Sequence, residues 1–170
     1  MRISPLALML GLVVGQRLGE LVIANRNTKR LLARGGREVG ARHYPLFIVL
    51  HTSWIAAMAL LIPWDRWPYM PLIFLYLLLQ LARVWILTSL GPYWTTRIIT
   101  IDDAPKVRRG PYRFIKHPNY LVVGLEIAVL PLAFQAWWIA GIFSVLNALL
   151  IGYRISVEER ALAPRTETQG

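Results

Sequence analysis

Gly110-Pro-Tyr-Arg-Phe-Ile-Lys-His-Pro-Asn-Tyr120 packs two Gly/Pro turn signals, aromatics, the two cations Arg113 and Lys116, and the histidine His117 into eleven residues. An apolar run starts directly behind it, at Tyr120. The pattern predicts a loop that ends by opening a helix. Pro118 suits an early helical position, because it has no N–H to leave unpaired and its φ is preset. The backbone N–H groups of the turn that follows lack partners inside the helix. Together with the helix dipole they form a site for a carboxylate or phosphate. His117, Lys116 and Arg113 are expected around that site. A basic loop that only anchors a membrane helix at the headgroups has the same composition, so the remainder of the chain has to discriminate.

Outward from this loop the chain is lipid-soluble. Of 170 residues, 56% are hydrophobic and only 16% charged, with a mean hydropathy of +0.46. That is outside the range of an ordinary soluble domain and predicts one integral membrane unit. Cysteine is absent, which rules out disulfides and thiolate metal sites. His43, His51 and His117 lack metal-ligand spacing, so no metal is expected.

Three long apolar runs are expected to span: 3–24, 44–64 and 69–90, since about 20 helical residues cross a hydrocarbon core of about 30 Å. The first has no cleavage site and carries Gln16, Arg17 and Glu20, so it reads as a retained helix. Arg17 and Glu20, three apart, share a face and can pair. Gln80 and Arg83 fall inside the third run, where a charge normally faces the bundle interior or snorkels to an interface. Two shorter runs, 120–134 and 137–153, are separated by Gln135-Ala136 and predict a tight helical hairpin. Glu126 within it is expected to face inward, toward Arg83 or His51. The expected fold is therefore all-α, with five transmembrane segments.

The charge of +10 follows this topology. The segment 25–42, the loop 91–119 and the tail from Arg154 hold 15 of the 19 Lys and Arg residues. By the positive-inside rule these lie on the cytoplasmic side, with the N-terminus outside. Nucleic acid is not an expected partner; the bilayer is. The arrangement also brings the two ends of the hairpin, His117-Pro118-Asn119 and Arg154 to Arg160, together at one face. If the last helix continues through 154–162, Arg154 and Glu158 share a face and Glu159 turns about 100° away. A solvent-exposed pair is the plain reading of that spacing; opposite a histidine-proline helix start, it becomes a small enclosure for a zwitterion.

The Gly110-x-Tyr112 turn, Lys-His-Pro-Asn-Tyr at 116–120, the apolar hairpin and Arg154-x-x-x-Glu158-Glu159-x-x-Leu162 together resemble the isoprenylcysteine carboxyl methyltransferase family. Arg26-Asn27, the run from Gly35 to Gly40 and His43-Tyr-Pro are more similar to bacterial members that accompany polyketide synthases and methylate lipophilic alkylpyrones. The resemblance implies a single membrane methyltransferase domain over 1–170, in a bacterial inner membrane, with S-adenosylmethionine as cofactor and a lipophilic or prenylated acceptor. It implies cofactor binding by Tyr112, His117, Pro118, Asn119, Tyr120 and Glu158, and by the strip Ala104, Pro105, Lys106 and Val107. Ala104 departs from a histidine that is frequent in eukaryotic members. Arg154 falls at a position assigned to substrate, as a binding and catalytic residue.

The chemistry is consistent with this. An α-carboxylate suits a helix N-terminus with a histidine, while an ammonium and ribose hydroxyls suit a carboxylate such as Glu158. Methyl transfer to a carboxylate or an enolate needs approximation and a dry pocket more than a strong base. The residues leave both acceptor oxygens open. Two other classes share features of the sequence: an NADPH-dependent reductase of the sterol-reductase type, with a similar His-Pro-Asn-Tyr element and with Arg108 and Arg109 for a 2′-phosphate, and a non-catalytic membrane scaffold in which His51, Arg83 and Glu126 form only a buried network.

Overall fold

The computed structural model describes residues 4–101 and 108–162. Five α-helices carry the chain: α1 (Pro5–Ala33), α2 (Tyr44–Leu61), α3 (Met70–Leu90), α4 (Pro118–Ala133) and α5 (Trp137–Leu162). Four of the helical stretches are long and apolar enough to cross a membrane, and α4 is a shorter apolar helix. This is the all-α membrane architecture expected from composition.

Proline sets the start of every helix except α5: Pro5, Pro45, Pro71 and Pro118 each stand in the first turn, where no N–H is needed. The core is a continuous apolar seam in which Trp54 and Met58 of α2, Ile86 of α3 and Ile127 and Leu130 of α4 are buried. Trp54 Nε1 donates to the Ile127 carbonyl at 3.2 Å, so the largest core side chain also has its polar atom satisfied. Leucines such as Leu8, Leu12, Leu60, Leu81 and Leu149 point outward, as a bilayer demands. Trp64, Trp67, Tyr69, Trp137 and Trp138 crowd exposed at one end, in the manner of an interfacial aromatic belt.

The hairpin between α4 and α5 is as tight as its two-residue spacing implies. Gln135 takes the left-handed conformation (φ 55°), and Ala136 N–H donates to the Pro131 carbonyl at 2.9 Å, closing the helix end. Gln135 Nε2 donates to the Ala133 carbonyl at 3.0 Å, and Arg66 reaches the Phe134 carbonyl at 3.3 Å. The last carbonyls of α4 thus find donors without water.

Two differences from the sequence reading matter for the site. First, α1 runs to Ala33, nine residues beyond its expected end at Ala24, because 25–33 is polar but holds no helix breaker before Gly35-Gly36. Asn27 on this extension donates from Nδ2 to the carbonyls of Gly91 (3.1 Å) and Trp94 (2.8 Å). It thereby pins the start of the second loop. Second, the two basic segments are joined by a short antiparallel ribbon, β1 (Arg37–Val39) with β2 (Ile98–Thr100), pairing Glu38 with Ile99. Arg97 bonds Glu38 at 3.0 Å and lies 4.9 Å over the Tyr44 ring. Three-residue strands carry too little periodicity to be read from sequence.

Inside the bundle, Arg83 does not snorkel. It is 3% exposed and grips Glu20 through Nε (2.5 Å) and Nη2 (3.0 Å), while Nη1 bonds Glu126 at 3.0 Å. Arg17 joins both acids, at 3.2 Å to Glu20 and 2.8 Å to Glu126. Gln16 and Gln80 supply one further donor to each acid. Glu126 is fully buried and faces Arg83, as expected. The two acids and two guanidiniums balance, and each carboxylate is surrounded by three donor side chains, which is the condition for charges to persist in a medium of low dielectric.

Candidate active site

The loop read first does what its residues dictate. Gly110 takes φ +60°, and a Cβ there would sit 2.0 Å from Ser89 Oγ, so only glycine lets the loop pass the end of α3. Arg109 fastens the same point by donating from Nε to the Ser89 carbonyl at 2.9 Å. A short 3-10 turn, Gly110–Arg113, then delivers the chain to His117, and α4 begins at Pro118. No side chain caps that helix start. The N–H groups of Asn119 and Tyr120 lie in its first turn, where a helix offers no acceptor of its own.

Opposite stands the final turn region of α5, which continues as one helix to Leu162. Arg154 and Glu158 are on one face, as expected, but they are bridged rather than paired. Tyr120 Oη donates to Glu158 Oε2 at 2.5 Å and accepts from Arg154 Nε at 2.9 Å. Arg154 Nη2 also donates to the Thr96 carbonyl at 2.7 Å. Its guanidinium lies over the rings of Phe47 (5.3 Å) and Tyr120 (5.7 Å). The arginine is 9% exposed and held on several sides. Glu159 is the carboxylate that meets the loop: it pairs with Lys116 and lies 3.6 Å from His117 Nε2. The His117 ring stacks on Tyr120 at 5.4 Å.

Two cavities meet at this junction. A polar one of about 190 Å³ is lined by Tyr112, Lys116, His117, Asn119, Tyr120, Arg154 and Glu158, with Tyr93, Arg97 and β2 on the far wall. A mainly apolar one of about 510 Å³ runs between α1 and α2 into the bundle and is lined by Leu18, Phe47, Ile48, His51, Ile55, Val123 and Ile151, among others, with Arg17, Glu20 and Arg83 of the buried network also on its wall. Asn119, Tyr120 and Arg154, with Trp94 and Thr95, line both. They form the partition.

The polar cavity contains incomplete hydrogen bonding. His117 Nε2 and Asn119 Oδ1 are buried and have no hydrogen-bond partner among the described residues, a state that costs about 1–3 kcal/mol per group unless another group supplies the missing atom. Burial, with the Glu158 carboxylate adding to it, pushes the Tyr112 phenol above the ordinary tyrosine range. It therefore stays protonated and available as a donor.

The structure thus brings together Tyr112, His117, Asn119, Tyr120, Glu158 and Arg154, while Pro118 sets the helix start from a buried position beside them. Ala104, Pro105, Lys106 and Val107 lie outside the described residues. Residues not anticipated are Trp94, Thr95, Thr96 and Arg97. Their signal was the Gly91-Pro92 break after the third span, which turns the chain back over the helix ends.

The model of the isoprenylcysteine carboxyl methyltransferase (ICMT) family matches residues 72–164, a stretch that takes in α3, the loop, the hairpin and Glu158. The uncharacterized protein YpbQ of Bacillus subtilis is 36% identical over 159 residues, covering 91% of this chain and 95% of that protein. An uncharacterized protein of Haemophilus influenzae is 24% identical over 157 residues, covering 89% and 91%. No solved structure matches. The chain, an integral membrane protein with two cavities meeting at Asn119, Tyr120 and Arg154, belongs to the isoprenylcysteine carboxyl methyltransferase family.

Proposed function

We propose that this protein is an S-adenosylmethionine-dependent O-methyltransferase, with the cofactor in the polar cavity and a lipophilic acceptor in the apolar one. The observation that carries the reading is the shared wall: a polar and an apolar cavity separated only by side chains fit a reaction between a water-soluble donor and a membrane-soluble acceptor. The donor set fits the cofactor. His117 Nε2 and the open N-terminus of α4 suit an α-carboxylate, Glu158 suits an ammonium or ribose hydroxyls, and Asn119 Oδ1 awaits a donor.

When bound, the cofactor supplies a methyl group activated on a sulfonium. Arg154 holds the acceptor's oxyanion at the partition, its guanidinium already immobilised by Thr96, Tyr120 and Phe47, so little orientation entropy is lost on binding. The apolar walls exclude water and leave the oxyanion poorly solvated. Tyr120 Oη links Arg154 to Glu158 and gives the two sites a common hydrogen-bonded member. The acceptor oxygen is a carboxylate or an enolate; either presents the charge that a fixed guanidinium recognises.

The same reading puts the basic end of the bundle in the cytoplasm of a bacterial cell, where the soluble cofactor is made, and the N-terminus outside. Reporter fusions at Gly170 and within 34–37 should both report cytoplasm; a periplasmic signal from either overturns this orientation. For the activity, detergent-purified protein should gain thermal stability from S-adenosylhomocysteine and none from NADPH. It should also move label from methyl-labelled cofactor into a membrane lipid extract. Stabilisation by NADPH instead would support the reductase, and a response to neither would leave a scaffold.

A further inference from the structure

The outer face of α1 carries a charge pattern that the bundle itself does not explain. The buried side of this helix, through Glu20, Ala24, Asn27 and Leu31, packs inward. The opposite side is exposed and changes character along its length: Gly11, Gly15 and Gly19, then Val22 and Ile23, then Arg26, Lys29 and Arg30. Arg26 stands seven residues after Gly19, and Lys29 and Arg30 follow it at three and four, so glycines and cations share one stripe. Like charges at those spacings destabilise a helix. No acid among the described residues pairs with them: Glu20 and Glu126 hold Arg17 and Arg83, Glu38 holds Arg97, and Glu159 holds Lys116. The helix dipole favours Arg30, which is in the last turn, but its influence does not extend to Arg26 and Lys29.

Depth identifies the missing counter-charge. The exposed surface is apolar through Val22 and Ile23 and turns cationic at Arg26, so the cations stand at the level where lipid tails give way to headgroups. Half of a hydrocarbon core of about 30 Å is about 15 Å. By helical rise Gly19 lies about 10 Å and Gly15 about 16 Å below Arg26, which places both in the leaflet that those cations face. A Cβ added at either glycine would meet nothing within 4 Å. Between the exposed Leu12, Leu18 and Val22 the helix surface is therefore a shallow trough, and it leads up to three cations.

We propose that this face of α1 binds one anionic phospholipid of the surrounding bilayer, with its phosphate held by Arg26, Lys29 and Arg30 and an acyl chain lying along Gly19 and Gly15. The residue types fit that occupant. Arg26 and Arg30, one turn apart, present forked N–H donors that match phosphate oxygens, and Lys29 adds a compact charge between them. Phosphatidylcholine brings its own quaternary ammonium, which offsets the attraction; phosphatidylglycerol leaves the phosphate charge unopposed. None of these residues lines either cavity, so the site is separate from the proposed methyl transfer. Asn27, next to Arg26, pins the carbonyls of Gly91 and Trp94, and a lipid held here therefore also sets the depth of the second loop.

The test is native mass spectrometry of the full chain in a neutral detergent, with phosphatidylglycerol and phosphatidylcholine of identical acyl chains as equimolar probes. The wild type should retain one phosphatidylglycerol roughly ten- to a hundredfold more tightly than phosphatidylcholine. The triple variant Arg26→Gln, Lys29→Gln, Arg30→Gln should lose that preference. It should melt no lower than wild type, because like-charge repulsion is relieved, so the loss is not one of folding. A charge-matched control, Arg42→Gln, Arg108→Gln, Arg160→Gln, removes exposed cations elsewhere and should keep the preference. Gly15→Leu with Gly19→Leu should weaken retention several-fold with the cations in place. No preference in the wild type, equal losses in the two charge-matched variants, or full retention in the glycine variant overturns the proposal. Displacement of the lipid by inorganic phosphate would show a soluble-anion site, and a dimer that the glycine variant dissolves would show a second copy on this face; either result also overturns it.

Discussion

Two clusters of charged and polar side chains lie in this bundle, and they differ in completeness. The deep one, Arg17, Glu20, Arg83 and Glu126 with two glutamines, balances its charges and surrounds each carboxylate with donors from α1 and α3. Arg17, Glu20 and Arg83 of that cluster touch the apolar cavity only, whereas the one at the basic end, built by His117, Asn119, Tyr120, Arg154 and Glu158, lines the polar cavity as well and holds two buried atoms with no partner among the described residues. Burial and charge alone do not distinguish structure from site. An unfinished hydrogen bond does so only where it lines a polar cavity: Gln80 Oε1 in the deep cluster is also unpartnered among the described residues, but His117 and Asn119 alone of these groups line the polar cavity, where a soluble ligand can complete them.

The comparison can be broken most forcefully in the deep cluster. Glu126→Ala leaves Arg17 and Arg83 sharing one acid in the bilayer interior, and loss of one partner from a buried ion network costs about 3–5 kcal/mol. The variant should unfold at markedly lower temperature or denaturant in detergent, yet its folded fraction should bind S-adenosylhomocysteine normally. A wild-type melting point would show that the cluster does not hold the bundle.

Next in size is Arg154. Arg154→Ala removes the group that grips the acceptor and should lower turnover and raise the acceptor KM, a loss of about 2–5 kcal/mol for a buried hydrogen-bonded charge. Arg154→Lys keeps the charge but cannot reach Tyr120 and Thr96 with a fork. It should lower turnover with cofactor affinity nearly intact. Near-normal turnover in the lysine variant would reduce Arg154 to an interfacial anchor.

His117→Ala should weaken the cofactor by about 1.5–3 kcal/mol, roughly ten- to a hundredfold. Stability should fall little, since Nε2 makes no hydrogen bond among the described residues and its contact with the half-exposed Glu159 is long, at 3.6 Å. The smallest effect is expected from Tyr120→Phe, which keeps the ring between the cavities but removes the hydroxyl joining Arg154 to Glu158. Bonds to charged groups are worth about 1.5–3 kcal/mol, but Arg154 keeps the Thr96 carbonyl and Glu158 faces the polar cavity, so only part of that should be lost, tenfold or less in kcat/KM. Saturation with one ligand should then have less influence on affinity for the other; an unchanged mutual influence would show that the bridge carries none.

Much of this was legible in the residues. Apolar run lengths gave five helices, and the two-residue spacer Gln135-Ala136 gave the hairpin. The His-Pro-Asn-Tyr helix start and Arg154 and Glu158, separated by more than thirty residues, were brought to one face by topology and charge alone. Three features were not legible, for physical reasons. The extension of α1 past Ala24 is polar and gains its helical state from Asn27 docking on the second loop, a tertiary contact with no local periodicity. The ribbon of β1 and β2 is too short to alternate. Glu159 was expected to turn away, and by helical angle it does part from Glu158, but Lys116 and His117 reach out to it from the loop, and the position of a loop cannot be read from the phase of a helix.

The most direct measurement is the dissociation constant of S-adenosylhomocysteine, titrated calorimetrically into wild type, His117→Ala and Glu126→Gln in the same detergent. The expected result is a ten- to hundredfold weakening in His117→Ala and wild-type affinity in the folded Glu126→Gln protein, given the hydrogen-bond energies above. Wild-type affinity in His117→Ala, or a comparable loss in Glu126→Gln, would contradict the account, because the cofactor would then not be completing the unpaired atoms at the start of α4.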